Sequence, residues 1–564
     1  MDYKKVYEEW LNNDFFDSEI REELESIKGN EEEIQDRFYQ SLEFGTAGLR
    51  GKIGAGTNRM NKYTVAEATQ GLAMTILSRG KEAAEKGVAI AYDVRHFSKE
   101  FAEITASVLA ANGIKVYLSD DIRPTPVLSY AIRHFETISG VMVTASHNPR
   151  EYNGYKAYWK EGSQILDDIA DEVLYNIGKI NNYSEIKNMD LQEAIDKGLV
   201  VYFGDELDDL YIKDMLSLTI NDEEVDKDIK IVYSPLNGTG NKLVRRILEE
   251  RKFNNVYIVK EQESPDPDFT TVGYPNPEDP KAFKYSIELG KEVDADILIA
   301  TDPDADRTAV EVKNKDGEYV FLNGNKIGAL LINYILSERH RKNNLPENSV
   351  VVKSIVTGDL GTRIAEKYNV EMIETLTGFK NVSGKANEYD ITGEKTFLFG
   401  FEESIGYNYG TFVRDKDAVN SAMMIAEMAG FYKKQGKTLL DILEGLFNTY
   451  GVYNERLISI TLEGLDGQAR IKRIMDEFRR EAIKEIGSIK LEKTIDYLVD
   501  NTGMPKSNVL KYYFDDGSWY ALRPSGTEPK IKVYIYSVGK TKEDSEEKLD
   551  IIEKATRSRI DSIK

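Results

Sequence analysis

The segment Thr144–Pro149 places a hydroxyl and an imidazole side by side, at Ser146 and His147. It directly follows the apolar run Gly140–Val143, which predicts a buried strand that ends at this segment. Open α/β sheets bind their ligands at the carboxyl ends of strands. Because an isolated Ser-His pair is more often part of a surface turn, its interpretation depends on the other polar loops of the chain.

A second loop carries three carboxylates at alternate positions, Asp302, Asp304 and Asp306, again directly after an apolar run. This spacing suits a hard divalent cation. A calcium loop of the EF-hand type is excluded, because it needs glycine and glutamate where this chain has Arg307 and Lys313. Three carboxylates leave a magnesium ion short of six oxygen ligands, so a phosphate oxygen would complete the set and Arg307 would neutralise that phosphate.

Two further loops are suited to anions. One carries Arg523, Ser525, Gly526 and Thr527 within five residues. A turn of this kind presents backbone N–H groups to an anion, and the arginine adds a bidentate contact. The other is glycine-rich and presents a single arginine, Arg50, which is weak evidence by itself.

The elements that must position these loops form a repeat. A strand, a helix, a second strand and a later strand that ends on a polar loop occur three times, which indicates βαβ units. The three loops begin near Ser146, Asp302 and Glu402, and we expect them to converge on one cleft. From about Tyr450 the pattern changes to alternating strands mixed with helices, which predicts a smaller α+β domain.

Composition narrows the class of protein. The 564 residues carry a net charge of −23, which disfavours nucleic acid and anionic membranes as partners. There is no cysteine, so disulfides, thiolate metal sites and thiol nucleophiles are excluded, in agreement with a reducing cytoplasm. The charged N-terminal sequence predicts no signal peptide, and no apolar run is long enough to span a membrane.

The types of these loops and their order along the chain resemble those of the α-D-phosphohexomutase superfamily, the phosphoglucomutases and phosphomannomutases. The resemblance covers essentially the whole chain. The resemblance implies an α/β fold with three similar mixed α/β domains and a smaller α+β C-terminal domain around a central cleft. The chain looks closest to the longer phosphoglucomutase-type members, which include phosphopentomutases. The expected domains are a phosphoserine domain, a metal-binding domain, a sugar-binding domain and a phosphate-binding C-terminal domain, over residues 1–207, 208–325, 326–447 and 448–564.

The resemblance also implies a role for each motif. Ser146 matches the phosphoserine that donates and re-accepts a phosphoryl group. Asp302, Asp304 and Asp306 match the residues that hold Mg²⁺ together with an oxygen of that phosphoserine. The implied substrate contacts are Arg307, Thr377, Gly378, Lys380, Glu402, Ser404, Arg523, Ser525, Gly526 and Thr527.

The general base stays open. Some members of the family carry a histidine just after the Glu-x-Ser sugar loop, where this chain continues with Ile405-Gly406-Tyr407. Lys416 resembles the substitute found in other branches, and Lys156 matches the family's active-site lysine. The catalytic residues implied by the resemblance are Ser146, His147, Arg50, Lys156 and Lys416.

We therefore expect an intramolecular phosphotransferase that interconverts glucose 1-phosphate and glucose 6-phosphate through a glucose 1,6-bisphosphate intermediate, with Mg²⁺. Mannose and ribose phosphates remain alternatives as substrates, because no motif fixes recognition of the sugar. A metal-dependent sugar phosphatase is a further alternative, against which the separate anion loop argues. A non-catalytic sugar-phosphate sensor is the third, although the complete set of reactive residues argues against it. The sequence gives no indication of oligomeric state.

Overall fold

The computed structural model describes residues 2–45, 48–462, 464–525 and 530–564. Within these ranges the strands form four separate sheets, arranged along the chain in sequence order. The same described ranges contain no helix of the length and apolarity that crossing a lipid bilayer requires.

The first sheet follows three N-terminal helices, α1 (Tyr3–Asn12), α2 (Ser18–Ser26) and α3 (Glu31–Phe38). Its strands are β1 (Leu49–Lys52), β2 (Val88–Tyr92), β3 (Val116–Ser119), β4 (Ser139–Val143), β5 (Tyr152–Trp159) and β6 (Val200–Phe203). Its helices are α4 (Lys62–Leu77), α5 (Lys81–Lys86), α6 (Ser98–Ala111), α7 (Thr125–His134), α8 (Asp167–Ile177) and α9 (Leu191–Asp196). The spatial order is β1-β5-β4-β2-β3-β6.

Helix α10 (Asp205–Ser217) leads to the second sheet. This sheet contains β7 (Lys230–Ser234), β8 (Asn255–Ile258), β9 (Ile297–Thr301), β10 (Thr308–Lys313) and β11 (Tyr319–Leu322), with helices α11 (Gly240–Glu250) and α12 (Lys284–Val293). The third contains β12 (Ser349–Ser354), β13 (Glu371–Thr375), β14 (Thr396–Glu402) and β15 (Gly406–Tyr409), with α13 (Gly324–Arg341), α14 (Leu360–Lys367), α15 (Phe379–Thr392), α16 (Ala418–Lys433) and α17 (Leu439–Tyr450). Short 3₁₀ helices lie at Tyr183–Glu185, Lys260–Gln262 and Pro280–Phe283.

The fourth sheet differs from the other three because all of its strand pairs are antiparallel. Its strands are β16 (Val452–Thr461), β17 (Glu485–Ile486), β18 (Ile489–Asp496), β19 (Leu510–Phe514), β20 (Trp519–Pro524) and β21 (Lys530–Gly539). Helices α18 (Gly464–Arg480) and α19 (Lys542–Ser562) belong to this part of the chain. The change of sequence pattern near Tyr450 therefore coincides with a change from mixed sheets to an antiparallel sheet, as predicted.

The repeat expected from the sequence is present in the first three sheets. In each, one central strand pairs in parallel with two others: β2 with β3 and β4, β7 with β8 and β9, and β12 with β13 and β14. Strands β2, β4 and β9 are buried along their whole length, which explains why they are apolar runs without alternation. The sequence analysis missed the fourth member of the repeat, an antiparallel return strand after each polar loop, namely β5, β10 and β15.

The second and third sheets are joined by a buried ion pair. Arg251, directly after α11, donates through Nη1 to Oε2 of Glu427 in α16 over 2.6 Å, and Glu427 is fully buried. The other oxygen of Glu427 accepts the backbone N–H groups of Ile220 and Asn221 and the hydroxyl of Tyr334. This carboxylate therefore connects the linker after α10 with the helices of the third sheet.

Replacement of Arg251 by alanine should lower the stability of the folded protein by about 3–5 kcal/mol, because it leaves the Glu427 carboxylate buried without its cation. Calorimetric unfolding of the purified variant measures the effect. Arg246→Ala is the matched control: it lies on the same part of the chain but pairs with Asp209 and Glu250 at the surface, so its loss should cost at most about 1 kcal/mol. Equal losses in the two variants would contradict the assignment.

Candidate active site

The three polar loops lie together because their strands end at the same side of three adjoining sheets. The Ser146 loop joins β4 to β5, the aspartate loop joins β9 to β10, and the Glu402 loop joins β14 to β15. The aspartate and Glu402 loops are directly bonded, since the N–H of Thr308 donates to the carbonyl of Ile405 over 3.1 Å. The N–H of Thr125, at the start of α7, donates to the carbonyl of Asp304 over 2.8 Å. The predicted convergence is therefore observed.

Each loop contains one non-glycine residue in the left-handed region of backbone conformation. These are Ser146 (φ 52°), Ala305 (φ 49°) and Ile405 (φ 54°). Such a conformation costs on the order of 1–3 kcal/mol and persists only where the surroundings impose it. The three residues share one position, between the last parallel strand and its return strand, so the same backbone turn carries three different sets of polar side chains.

Ser146 is held from both sides of its peptide. Its N–H donates to Oγ1 of Thr144 over 2.8 Å, and the Thr144 hydroxyl in turn donates to Oδ2 of Asp93 over 2.7 Å. The side chain of Ser146 is 3% exposed, and its hydroxyl donates to Oδ2 of Asp302 over 2.9 Å. The hydroxyl of the first loop thus touches the carboxylate of the second directly.

Arg95 holds the backbone beyond Ser146 in place. It was not among the residues predicted from the sequence. Its guanidinium donates to the carbonyl oxygens of Ser146, Asn148, Pro149 and Tyr152. It is 3% exposed. A signal was present, because Arg95 comes three residues after the end of β2, at the same sheet edge as Ser146.

His147 lies within 3.2 Å of the Ser146 hydroxyl through Nδ1. Burial lowers its pKa well below the ordinary histidine value, and the positive charges of Arg307 and Arg50 lower it further. The imidazole is therefore neutral at physiological pH. Arg50 itself lies on β1 and donates to Oδ1 of Asn148 in the Ser146 loop over 3.4 Å.

The three aspartates of the second loop are buried and crowded. Asp302, Asp304 and Asp306 each place a carboxylate oxygen within 4.8 Å of the others. Burial and the neighbouring carboxylates raise the pKa of Asp302 well above its ordinary value. Burial has the same tendency at Asp304, but the ammonium of Lys156 overrides it and lowers the pKa.

Two lysines from other sheets balance this negative charge. Lys156 on β5 donates to Oδ2 of Asp304 over 2.7 Å and lies 3.5 Å from Oδ2 of Asp306. Lys416, between β15 and α16, lies 3.1 Å from the same oxygen of Asp306. Burial alone would lower the pKa of Lys416, but Asp306 and Asp415 raise it above the ordinary lysine value. Both predicted lysines are therefore part of the site.

The oxygens of the aspartates are divided between two tasks. Oδ1 of Asp302 accepts the backbone N–H groups of residues 306 and 307, and Oδ2 of Asp304 accepts Lys156 and the hydroxyl of Thr125. Oδ1 of Asp304 and Oδ1 of Asp306 are buried and accept no hydrogen bond. Buried carboxylate oxygens without a donor are costly, and a divalent cation would satisfy both. The loop therefore fits a divalent cation.

The Glu402 loop completes the centre of the cleft. Glu402 accepts the N–H of Gly378 through Oε1 over 2.7 Å, which joins this loop to the Thr377–Lys380 segment at the start of α15. Burial and the adjacent Glu403 raise the pKa of Glu402 to about 7. Ser404 lies in the turn between β14 and β15. Lys380 is directed to the first part of the chain, where it donates to Oδ1 of Asp167 over 3.0 Å.

The anion-binding candidates lie around this centre. The guanidinium of Arg307 is 3.8 Å from Oδ1 of Asp306 and 3.9 Å from Oε2 of Glu278. Arg523 lies on β20 beside Tyr534. Burial and the charge of Glu403 raise the pKa of the Tyr534 hydroxyl, whereas the charge of Arg523 lowers it.

Ser525 directly follows β20, and its N–H donates to the carbonyl of Lys530 over 2.8 Å. The predicted contacts Gly526 and Thr527 lie outside the described residues.

Comparisons with known proteins agree over most of the chain. Four family models match in order, described as the alpha/beta/alpha domains I, II and III and the C-terminal domain of phosphoglucomutase/phosphomannomutase, over residues 41–184, 209–317, 323–450 and 469–554. A phosphoglucomutase from Staphylococcus epidermidis is 39% identical over 541 residues, which cover 94% of this chain and 95% of that relative.

Two solved structures share the fold. The open form of pp63/parafusin, a phosphoglucomutase from Paramecium, has a TM-score of 0.70 at 18% identity and covers 93% of this chain and 96% of its own. A phosphoglucomutase/phosphomannomutase family protein from Burkholderia thailandensis has a TM-score of 0.67 at 20% identity, with 92% and 97% covered. At these identities the likeness shows a shared fold.

Replacement of Asp304 or Asp306 by asparagine should weaken Mg²⁺ binding at least about tenfold, because each change removes one of the two carboxylate oxygens that have no donor. Isothermal titration with Mg²⁺ measures the affinity. Asp316→Asn, in an exposed turn of the same sheet, should bind as the parent does. Unchanged affinity in both triad variants would show that the cation binds elsewhere.

Proposed function

Because the chain belongs to the phosphoglucomutase/phosphomannomutase family, whose members are intramolecular phosphotransferases of the isomerase class, we propose that it interconverts glucose 1-phosphate and glucose 6-phosphate. The observation that carries the proposal is the Ser146 hydroxyl, 2.9 Å from a buried aspartate triad that has two oxygens without a donor. Glucose is preferred as the sugar because the relative at 39% identity is a phosphoglucomutase.

The reaction proceeds in two transfers through a phosphorylated Ser146. In the first, the bond between Oγ of Ser146 and phosphorus breaks while a bond forms between phosphorus and the free sugar hydroxyl, whose proton passes to a base. The product is glucose 1,6-bisphosphate. After this intermediate has turned round in the cleft, Oγ of Ser146 takes the other phosphoryl group, and the released sugar oxygen regains a proton. The bisphosphate also serves as the activator that phosphorylates the resting enzyme.

The residues of the transfer site would work by positioning and charge. The Arg95 and Thr144 contacts fix the backbone of Ser146, so the hydroxyl is held where the phosphoryl group arrives. Asp302, Asp304 and Asp306 would hold Mg²⁺, which supplies positive charge to the oxygens of the transferred group. Arg307, Arg50 and the neutral His147 surround the same position.

Lys416 is our choice for the group that exchanges the proton of the reacting hydroxyl: it would take this proton as the free amine in the first transfer and return it from the ammonium in the second. Its ammonium lies 3.1 Å from Oδ2 of Asp306 in the triad, and the charge of Glu402 in the sugar loop also raises its pKa. A sugar hydroxyl gripped by Glu402 and Ser404 and aligned with Ser146 must approach this ammonium. Lys156 is held more closely by Asp304 and would mainly balance the charge of the triad.

The remaining residues would hold the part of the substrate that does not react. Arg523, Ser525, Gly526 and Thr527 would bind the second phosphate, and Thr377, Gly378 and Lys380 would contact the sugar. In this proposal the partners are small sugar phosphates, and the enzyme works in the cytoplasm. The net charge of −23 supports the expectation that it binds neither nucleic acid nor membranes.

With glucose 1-phosphate, Mg²⁺ and a trace of glucose 1,6-bisphosphate, the protein should form glucose 6-phosphate without releasing inorganic phosphate. Parallel assays with mannose and ribose 1-phosphates should give lower kcat/KM values. Stoichiometric release of inorganic phosphate would identify a phosphatase instead, and the absence of any product would indicate a non-catalytic protein.

Intact-mass measurement should show one phosphoryl adduct on the active protein, and the Ser146→Ala variant should lack both the adduct and the mutase activity. Ser404→Ala is the control, because it removes a hydroxyl from the sugar loop and leaves the phosphorylated residue in place. It should keep the adduct. Near-full activity in Ser146→Ala would rule out Ser146 as the phosphoryl carrier.

Arg523→Ala should weaken the apparent affinity for substrate by roughly 1.5–3 kcal/mol, the value of a charge-assisted hydrogen bond. Phosphorylation of Ser146 should persist in this variant, because Arg523 lies on another sheet. Steady-state kinetics and intact mass measure the two effects, with the exposed Arg480→Ala as control. If substrate affinity stayed unchanged and the adduct disappeared, Arg523 would belong to the transfer site.

A further inference from the structure

We propose that Asp415 and Tyr158 are positioning residues that hold the ammonium of Lys416 at the reacting sugar hydroxyl. The proposal rests on the proposed function, in which Lys416 exchanges a proton with that hydroxyl. Neither Asp415 nor Tyr158 is part of the motif set discussed above. They act on the substrate only through Lys416.

The carboxylate of Asp415 is fully engaged and faces Lys416 with one oxygen. Oδ1 accepts the backbone N–H of Lys416 over 2.8 Å and lies 3.2 Å from its Nζ. Oδ2 accepts the hydroxyl of Tyr158 over 2.7 Å and the amide of Gln164 over 3.1 Å. The carboxylate is 1% exposed, so water does not compete for these bonds. Its orientation, and with it the position of Nζ, is therefore set by Tyr158 and Gln164.

Tyr158 carries this constraint from another sheet. It lies on β5 two residues after Lys156, so the two side chains point to the same face of the strand. Lys156 reaches Asp304 in the second sheet, and Tyr158 reaches Asp415 beside the third. One rigid strand therefore fixes the relative positions of the aspartate triad and of Lys416.

The aliphatic stem of Lys416 is confined as well. It lies over Gly406, where a Cβ would come within 2.2 Å of its Cδ. The ammonium lies 5.5 Å from the ring centre of Phe379. With the stem confined and the ammonium held between Asp415 and Asp306, Lys416 has few alternative rotamers. A side chain held in this way can meet a hydroxyl without loss of conformational entropy at the moment of reaction.

The structure also offers a matched control. Tyr211 is another fully buried tyrosine, and its hydroxyl donates over 2.8 Å to Asp417, two residues after Asp415. Asp417 caps the start of α16 and makes no contact with the ammonium of Lys416 among the contacts of the described residues. Loss of either tyrosine hydroxyl leaves a buried aspartate short of one donor, so the two changes should cost comparable stability.

The test compares Tyr158→Phe, Asp415→Asn and Tyr211→Phe in the glucose 1-phosphate assay, with melting temperatures for all three. Tyr158→Phe and Asp415→Asn should lower kcat about 10- to 100-fold, the range expected when a reacting group is misplaced, with KM changed less than about threefold. Tyr211→Phe should keep kcat within about twofold while its melting temperature falls as much as that of Tyr158→Phe. If Asp415→Asn does not fold, Tyr158→Phe carries the comparison.

A double-variant cycle decides whether the effect passes through Lys416. In a Lys416→Met background, which has no ammonium to position, Tyr158→Phe should cause no further loss of kcat. Independent, additive losses would overturn the proposal, as would equal kcat values for Tyr158→Phe and Tyr211→Phe. Full kcat in Lys416→Met would overturn it while the mutase activity stands. A parent protein without mutase activity would instead refute the proposed function, and the positioning role with it.

Discussion

The structure of the cleft depends on one electrostatic constraint, the burial of three carboxylates in a single short loop. Asp302, Asp304 and Asp306 are at most 2% exposed, and their mutual repulsion is not screened by water. One compensating charge, Arg307, is in the same loop, and the others come from elsewhere in the chain. Lys156 comes from the first sheet and Lys416 from the end of the third, so the charge of the triad is balanced only when the sheets are docked. The contacts of Lys156 and Lys416 with the triad therefore both join the sheets and assemble the site.

The repeat explains how one architecture supplies different chemical groups. In each of the first three sheets a buried parallel strand ends, the chain turns through a left-handed residue, and an antiparallel strand leads away. The side chains of the turn lie at the cleft but are mostly buried, and the strands on either side stay in the core. A hydroxyl, a carboxylate triad and a Glu-x-Ser pair thus occupy equivalent positions.

Much of this could be predicted from the sequence, because the informative signals are local. Apolar runs predicted β4 and β9, and the polar residues directly after them predicted the loops. What could not be predicted depends on contacts between distant parts of the chain. In the sequence Arg95 is indistinguishable from an ordinary loop arginine. Only the fold brings it to the carbonyl oxygens around Ser146. The return strands were missed because β10 and β15 follow their loops so closely that the apolar pattern does not restart clearly.

The division of oxygens in the triad shows why positioning residues matter as much as ligands here. Oδ1 of Asp302 accepts backbone N–H groups, and Oδ2 of Asp304 accepts hydrogen bonds from Thr125 and Lys156. These bonds hold the carboxylates of Asp302 and Asp304, while Oδ1 of Asp304 and Oδ1 of Asp306 are buried without a donor. Asp415 follows the same logic at Lys416, with Oδ2 anchored by Tyr158 and Oδ1 turned to the ammonium. At Asp304 and at Asp415 one oxygen is anchored by a side chain of the first sheet, which fixes where the other oxygen lies. The precision of the site therefore comes from the docking of the sheets, and the loops contribute the reactive groups.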